Sequence, residues 1–212
     1  MKDIQRFIAG FRTFQESYFG AGADHFEPLK EGQSPKTMII GCSDSRVDPA
    51  LLTNCAPGDI FTVRNVANLV PPFEEKGGRH GVSAALEFAV CHLGVEHIVV
   101  LGHSGCGGIK ALMAGTCGCK GGGFISHWMS IAAPARERVL TELPDKEPGL
   151  QQRAAEQAAI LLSLENLRSF PWIDQRVASG TLSLHGWYFD ITAGELLEYQ
   201  QEGGCFEPVK SC

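Results

Sequence analysis

The sequence predicts an α/β protein with a mostly parallel, doubly wound sheet, an antiparallel edge hairpin, flanking helices and an N-terminal helical arm. Two observations lead to this fold class. Short, almost wholly apolar runs alternate with a helical pattern between residues 37 and 101, which is typical of buried parallel strands joined by crossovers. Near the C-terminus, two strand-like segments are separated by only four residues, as in a hairpin.

The N-terminal segment is predicted to form an amphipathic helix that ends near Gly20 and Gly22. Its apolar side chains recur at helical spacing, and several are aromatic: Ile4, Phe7, Ile8, Phe11, Phe14 and Tyr18. Such a stripe requires a covering surface, because large exposed apolar patches are uncommon on monomers. Two alternatives provide one, namely packing on the protein's own domain or packing across a dimer.

Three strands and one helix are predicted in the first half of the chain. Residues 37–41 and 97–101 are apolar runs, and residues 59–64 form a third strand-like segment between them. Residues 82–93 have helical periodicity and are followed by Gly94, a typical helix stop. We expect these strands to be parallel neighbours in one sheet.

The second half is predicted to contain two helices and a hairpin after a glycine-rich connector. The segments are the connector at 115–123, helices at 125–140 and 151–168, and strands at 182–190 and 195–199. No internal repeat or domain boundary is evident, so we expect one domain, 1–212. Within it, residues 1–35 form the arm, residues 36–112 the core with the candidate metal site, and residues 113–212 the later helices and edge hairpin.

Composition excludes several classes of function. The net charge is −6 with no basic cluster, which argues against nucleic acid as a partner. No apolar run approaches the roughly 18 residues of a membrane span, and no secretory signal opens the chain, so we expect a cytoplasmic protein without a membrane partner. In that compartment, the eight cysteines are expected to be thiols or metal ligands.

Two short segments carry the residues with the strongest chemical signal. Cys42 follows the first strand, and His103 and Cys106 follow the third. If these strands are neighbours, their carboxyl ends bring the three side chains together where doubly wound sheets bind ligands. Zinc prefers nitrogen and sulfur ligands, and catalytic sites use three protein ligands and keep one position open. The sequence therefore predicts a catalytic zinc site.

Asp44 and Arg46 lie within four residues of the first candidate ligand. A carboxylate beside the open position can orient a water molecule, and an arginine can hold that carboxylate through a bidentate pair. Either water or Asp44 itself fills the fourth position. Taken alone, Asp-x-Arg is often a surface ion pair, and a single Cys at a strand end is often a small buried hydrophobe. Their coincidence at two strand ends favours the metal site.

The other cysteines and histidines have weaker signals. Four cysteines without partners at metal-binding spacing are expected to be structural: Cys55, Cys91, Cys205 and Cys212. Cys117 and Cys119 form a C-x-C pair in the glycine-rich connector, where a plain loop is favoured over a redox or metal role. His80 is a candidate proton relay near the mouth of the site.

The motifs C-S-D-S-R, V-R-N-x-A-N and G-H-S-x-C-G-G resemble those of the beta-class carbonic anhydrases, over about residues 32–112. The resemblance implies one Zn²⁺ per chain, bound by Cys42, His103 and Cys106, with Asp44 and Arg46 as the catalytic pair. It implies reversible hydration of carbon dioxide to bicarbonate and a proton by a zinc-bound hydroxide. It also implies a homodimer or a dimer of dimers, in which the N-terminal arm embraces the second subunit.

The chain is most similar to the plant-type branch of that class. This resemblance places Gln33, Phe61, Val66 and Phe88 in contact with the substrate, although Phe88 stands where tyrosine is common. Some bacterial members have a noncatalytic bicarbonate pocket with a tryptophan at the position of Ile39. Because the pocket lacks that wall here, we expect an open site at neutral pH, with Asp44 paired to Arg46.

Two other functions remain compatible with the sequence. The first is hydrolysis of carbonyl sulfide or carbon disulfide, which are linear analogues handled by relatives on the same fold. The second is a non-catalytic zinc-binding regulatory role. The Asp44–Arg46 pair argues against the second, because a purely structural zinc site has no need of it.

Overall fold

The computed structural model describes residues 2–76, 78–116 and 123–209. The chain divides into two compact units, residues 1–34 and residues 35–212. None of the helices in the described part of the chain has the length and apolar character that a bilayer crossing requires. Cys117, Cys119 and Cys212, for which the sequence suggested minor roles, lie outside the described residues.

The N-terminal unit consists of helix α1, Lys2–Phe19, and the short helix α2, Phe26–Leu29. The predicted amphipathic helix is therefore confirmed, and its end falls just before Gly20. An aromatic cluster joins the two helices, with ring centroids 4.6 Å apart for Phe19 and Phe26. Towards the N-terminus of α1 the apolar side chains remain largely exposed: Ile4, Phe7, Ile8 and Phe11.

The larger unit is built on a six-stranded sheet in the order β2-β1-β3-β4-β5-β6. The strands are β1, Thr37–Cys42; β2, Ile60–Asn65; β3, His97–His103; β4, Ser183–Asp190; β5, Glu195–Gln200; and β6, Cys205–Pro208. The first four are parallel, and β5 and β6 are antiparallel to their neighbours. The predicted fold class and the neighbouring positions of the first and third strands are thus confirmed. Strand β6 was not predicted.

The helices of this unit are short except for one. They are α3, Pro49–Thr53; α4, Gly81–Glu87; α5, Gly107–Met113; α6, Phe124–Met129; α7, Ala133–Glu142; α8, Pro148–Arg168; and α9, Pro171–Ala178. Helix α4 continues as a π-helical turn, Phe88–Leu93, which ends at Gly94 in the left-handed conformation, φ 69°. The long helix α8 packs on β3 and β4 and covers the core of the sheet.

One predicted helix is divided in the structure and one helix was not predicted, and proline is involved in both differences. The helix expected over residues 125–140 is split into α6 and α7, because Pro134 lies in the first turn of α7 and cannot continue a preceding helix. The predicted end of the second helix at residue 168 is confirmed, but the sequence analysis did not predict α9, which begins at Pro171. Proline is favoured at the first helical position, where its missing N–H has no partner to lose.

Helix α8 approaches the sheet closely because two glycines face it. A Cβ atom at Gly102 would lie 2.6 Å from Ile160 Cδ1, and one at Gly186 would lie 3.0 Å from Ile160 Cγ2. Ile160 is fully buried between these strands. This close packing fixes α8 against β3 and β4, the strands whose carboxyl ends lie at the candidate site.

Candidate metal centre

Cys42, His103 and Cys106 come together at the carboxyl edge of the sheet. Cys42 ends β1, His103 ends β3, and Cys106 immediately precedes α5. Their side-chain ligand atoms all lie within 4.8 Å of one another, and all three residues are buried. Within the described ranges, no other group of three such residues is this close. The predicted convergence of the two segments is confirmed.

The orientation of His103 fits a metal ligand. Its Nδ1 lies 3.0 Å from the carbonyl oxygen of Ser104, to which it donates a hydrogen bond. Its Nε2 is buried and has no hydrogen-bond partner among the described residues. A buried polar atom without a partner is costly, and here it points into a cluster with two thiols. Two sulfur donors and one imidazole nitrogen suit zinc in a tetrahedral site with one open position.

The environment of Cys42 favours a thiolate. The neighbouring Cys106 thiol lowers the pKa of Cys42, and the same interaction raises the pKa of Cys106, because the two sulfurs share one proton. The backbone N–H groups of Asp44 and Ala67 also lower the pKa of Cys42. Ala67 adopts φ 65°, a left-handed conformation that is unusual outside glycine. This strained backbone belongs to a residue whose N–H favours the deprotonated form of Cys42, the form that binds metal.

The predicted pair of Asp44 and Arg46 is formed. Arg46 Nε donates to Asp44 Oδ1 at 2.9 Å, and Arg46 Nη2 donates to Asp44 Oδ2 at 2.7 Å. The backbone N–H of Arg46 adds a third bond to Oδ1 at 3.0 Å. These bonds hold the pKa of Asp44 well below its usual range. Asp44 is therefore an ionised carboxylate, and its Oδ2 lies 3.9 Å from His103 Nε2.

Arg64 supports the segment that contains the first ligand. Its guanidinium donates to the carbonyl oxygens of Cys42 and Asp44, at 3.0 and 2.8 Å, and to the Asp48 carboxylate at 2.8 Å. Sequence analysis did not single out this supporting role of Arg64. Its hydrogen bonds go to two backbone carbonyls and one side-chain carboxylate that lie 16 to 22 residues away, and no local motif indicates them.

Glu156 supports the segment that contains the other two ligands, and sequence analysis did not single it out. It lies on α8 and is only 4% exposed. Its Oε1 accepts the backbone N–H of Cys106 at 3.0 Å, and its Oε2 accepts the hydroxyl of Tyr188 at 2.8 Å. The available signal was a charged residue on the small, apolar face of a helix, between Ala155 and Ala159.

Three of the predicted substrate-contacting residues belong to the larger unit, and their distances from the ligand edge of the sheet differ. Val66 directly follows Asn65, the register partner of Cys42, so it lies at the same edge of the sheet. Phe61 and Phe88 contact each other, with ring centroids 5.9 Å apart. However, Phe61 precedes Asn65 by four residues on β2, which is about 13 Å at the usual strand rise. Gln33 belongs to the N-terminal unit, and its role stays a prediction.

The remaining candidate residues are His80 and the cysteines outside the ligand cluster. His80 is exposed, and its Nε2 lies 3.6 Å from a Glu74 carboxylate oxygen; its role as a proton relay stays a prediction. Cys55 is half-buried, Cys91 and Cys205 are exposed, and all three are free thiols.

The comparisons with known proteins all identify the same family. The carbonic anhydrase family model matches residues 37–196. Beta carbonic anhydrase 5, chloroplastic, from Arabidopsis thaliana is 42% identical over 187 residues, which is 88% of this chain but only 60% of that protein's length. The solved structure of the beta-carbonic anhydrase CcaA has TM-score 0.92 and 37% identity, with 100% of this chain and 94% of that chain covered. One of two tetrameric beta-carbonic anhydrases from Sordaria macrospora has TM-score 0.83 and 29% identity, with 98% and 100% covered.

Proposed function

Because this chain belongs to the beta class of the carbonic anhydrase family, we propose that it catalyses the zinc-dependent, reversible hydration of carbon dioxide to bicarbonate and a proton. One observation carries the proposal. The buried cluster of Cys42, His103 and Cys106 has an ionised carboxylate beside it, and that carboxylate is fixed by an arginine. A structural zinc site needs only closed coordination, whereas this arrangement adds an acid–base group next to an open position.

Cys42, His103 and Cys106 would hold the zinc, which would lower the pKa of a water molecule and so provide a nucleophile near neutral pH. The chain's own residues determine how that water is presented. Asp44 Oδ2 lies close enough to the ligand cluster to accept a hydrogen bond from a water molecule there. A carboxylate that accepts one hydrogen of the water directs a lone pair of its oxygen towards the substrate. Asp44 serves as this orienting group.

Arg46 keeps Asp44 available for that task. Both oxygens of Asp44 are bound by Arg46, so the carboxylate does not turn towards the three ligands. The competing arrangement uses Asp44 as a fourth ligand, which would remove the open position. A crystal structure of the zinc-loaded protein at neutral pH tests the open arrangement. An Asp44 oxygen about 2.0–2.2 Å from zinc would contradict it.

The activity itself is tested by stopped-flow measurement of carbon dioxide hydration, with zinc content determined on the same samples. The wild-type protein is expected to bind one zinc per chain and to be active. Asp44→Ala is expected to keep its zinc and lose activity by about 10²- to 10⁴-fold, the range for a lost acid–base group. Asp174→Ala, which removes an exposed carboxylate paired with Arg168, is the matched control.

Two outcomes would overturn the proposal and identify a different function. A zinc-loaded protein that releases hydrogen sulfide from carbonyl sulfide but does not hydrate carbon dioxide is a hydrolase on this fold. A zinc-loaded protein inactive on both substrates is a zinc-binding protein without this chemistry.

The working unit is a dimer or a dimer of dimers, in which each site is completed by a second copy. Phe61 and Phe88 support this assembly, because the family resemblance assigns them to the substrate wall although Phe61 lies about 13 Å along β2 from the ligand edge. The rings can belong to a substrate wall and still lie far from the ligands of their own chain if they line the site of the other subunit. Phe88 is 44% exposed in the single chain and is free to do so.

Mixed dimers distinguish a shared site from a site within one chain. A chain with Cys106→Ala has no zinc but retains Phe88, and a chain with Phe88→Ala has zinc but lacks that ring. If the sites are shared, mixing the two chains by unfolding and refolding restores one intact site per mixed dimer. Mixed samples no more active than the average of the two separate variants would show that Phe88 does not act across the interface.

A further inference from the structure

Ser104 uses each of its polar groups to fix the segment that carries two of the metal ligands. Its carbonyl oxygen accepts the Nδ1 hydrogen of His103, so that Nε2 keeps its lone pair for the metal. Its backbone N–H donates to the carbonyl of Phe189 at 2.9 Å. Its Oγ accepts the backbone N–H of Ile191 at 2.8 Å. The orientation of His103 therefore depends on how Ser104 is attached to the end of β4.

The turn that offers the Ile191 N–H is shaped by Asp190. This residue ends β4 and is 7% exposed. Its Oδ1 accepts the backbone N–H groups of Thr192 and Ala193, at 2.9 and 3.2 Å, and lies 3.5 Å from Ser104 Oγ. An aspartate that binds backbone groups two and three residues ahead closes a tight turn. Asp190 thus places Ile191 under Ser104 and contacts Ser104 directly.

Arg153 holds the Asp190 carboxylate from the opposite side. Its Nη1 donates to Asp190 Oδ2, and its guanidinium carbon lies 5.2 Å from the centre of the Tyr188 ring. The pair with Arg153 also lowers the pKa of Asp190, so the carboxylate is ionised and acts only as an acceptor. The turn is therefore anchored to α8 as well as to β4.

We propose that Asp190 is a positioning residue for the metal ligands, acting through Ser104 to hold His103 in its binding orientation. The inference rests on the proposed zinc site and adds to it a residue that touches neither metal nor substrate. Residues that orient a metal ligand without touching the metal typically change metal affinity or activity by about 10- to 100-fold when they are removed. We expect Asp190→Ala to weaken zinc binding by about that factor.

The test is a competition titration of each zinc-depleted protein with a chromophoric chelator. Asp190→Asn retains an oxygen that accepts the Thr192 and Ala193 N–H groups, so it is expected to recover most of the affinity. Ser104→Ala leaves the β4–β5 turn intact but removes the acceptor for Ile191, and it is expected to show a loss similar to that of Asp190→Ala. Asp174→Ala is the control for removal of a paired carboxylate.

Two further measurements separate positioning from general stability. If Asp190 only stabilises the fold, the variants lose unfolding free energy in the metal-free state while zinc affinity stays within twofold of wild type, and the inference is overturned. If it positions His103, the visible absorption of the cobalt-substituted protein also changes in Ser104→Ala but not in Asp174→Ala. A wild-type protein that binds no stoichiometric zinc would instead overturn the proposed function, so the two failures are distinguishable.

Discussion

The hydroxyl of Tyr188 is predicted to give the protein a specific alkaline instability. Tyr188 is fully buried, and its hydroxyl donates to the Glu156 carboxylate at 2.8 Å. Burial and then the negative charge of Glu156 raise the pKa of Tyr188 far above its usual value. In the unfolded chain the same phenol titrates near its ordinary pKa of about 10. Above that pH the unfolded state releases a proton that the folded state retains.

The sign and size of the effect follow from this difference. A group whose folded-state pKa is raised contributes fully below the unfolded pKa, and its contribution declines as the pH rises above it. Each pH unit above about 10 should therefore remove about 1.4 kcal/mol from the free energy of unfolding. Tyr188→Phe abolishes this slope but loses a hydrogen bond to a charged acceptor, worth about 1.5–3 kcal/mol at neutral pH. The two stability curves should cross about one to two pH units above 10.

Urea unfolding followed by tryptophan fluorescence, on identically prepared samples between pH 7 and pH 12, measures both curves. Only the difference between variant and wild type is interpreted, because thiols and lysines titrate equally in both proteins. Tyr199→Phe, at a half-buried position on β5, controls for the loss of a hydroxyl. A difference between Tyr188→Phe and wild type that stays constant from pH 8 to pH 12 would refute the argument.

Three further predictions concern the ligands and their packing. Cys106→Ala should lose stoichiometric zinc, whereas Cys55→Ala should keep it; metal analysis of a Cys106→Ala sample with full zinc content would contradict the ligand set. Glu156→Leu leaves the Cys106 N–H and the Tyr188 hydroxyl without their acceptor and should cost about 1–3 kcal/mol for each, while Glu156→Gln should cost less, as measured by urea unfolding. Gly102→Ala places a Cβ atom 2.6 Å from Ile160 Cδ1 and should cost about 1–3 kcal/mol; a thermal unfolding midpoint equal to that of wild type would show that α8 can shift freely.

The parts of the fold that could be predicted are those with a local signal. The apolar runs that became β1 and β3 are buried on both faces, and hydrophobicity alone identifies such strands. Strand β6 has only four residues, which are too few to show a periodicity. Pro171 follows the end of α8 and begins α9, because proline disfavours continuation of a helix and favours the start of one. Whether a new helix follows such a proline depends on tertiary packing.

The residues of the candidate site also divide into those with a local sequence signal and those without one. Cys42, His103 and Cys106 could be predicted because parallel topology places strand ends at one edge, so their meeting requires only the correct strand order. Arg64 and Glu156 could not, because each acts on backbone groups of a distant segment. Any arginine or glutamate can make such bonds, and only the folded arrangement determines which one does.

The two ligand segments are also joined directly, and this connection bears on how Asp44 behaves. Arg46 Nη2 donates both to Asp44 Oδ2 and to the carbonyl of Gly105, at 2.7 and 3.1 Å, so one guanidinium links the segment after β1 to the segment after β3. Gly105 has φ 68°, a conformation that favours glycine and turns its carbonyl to this contact. Asp44 accepts from three donors of Arg46, and among the described residues only Nη2 has a second acceptor. Because Arg64 also holds the Asp44 carbonyl, moving Asp44 onto the metal would disturb bonds to both its side chain and its backbone, and we therefore expect the open arrangement.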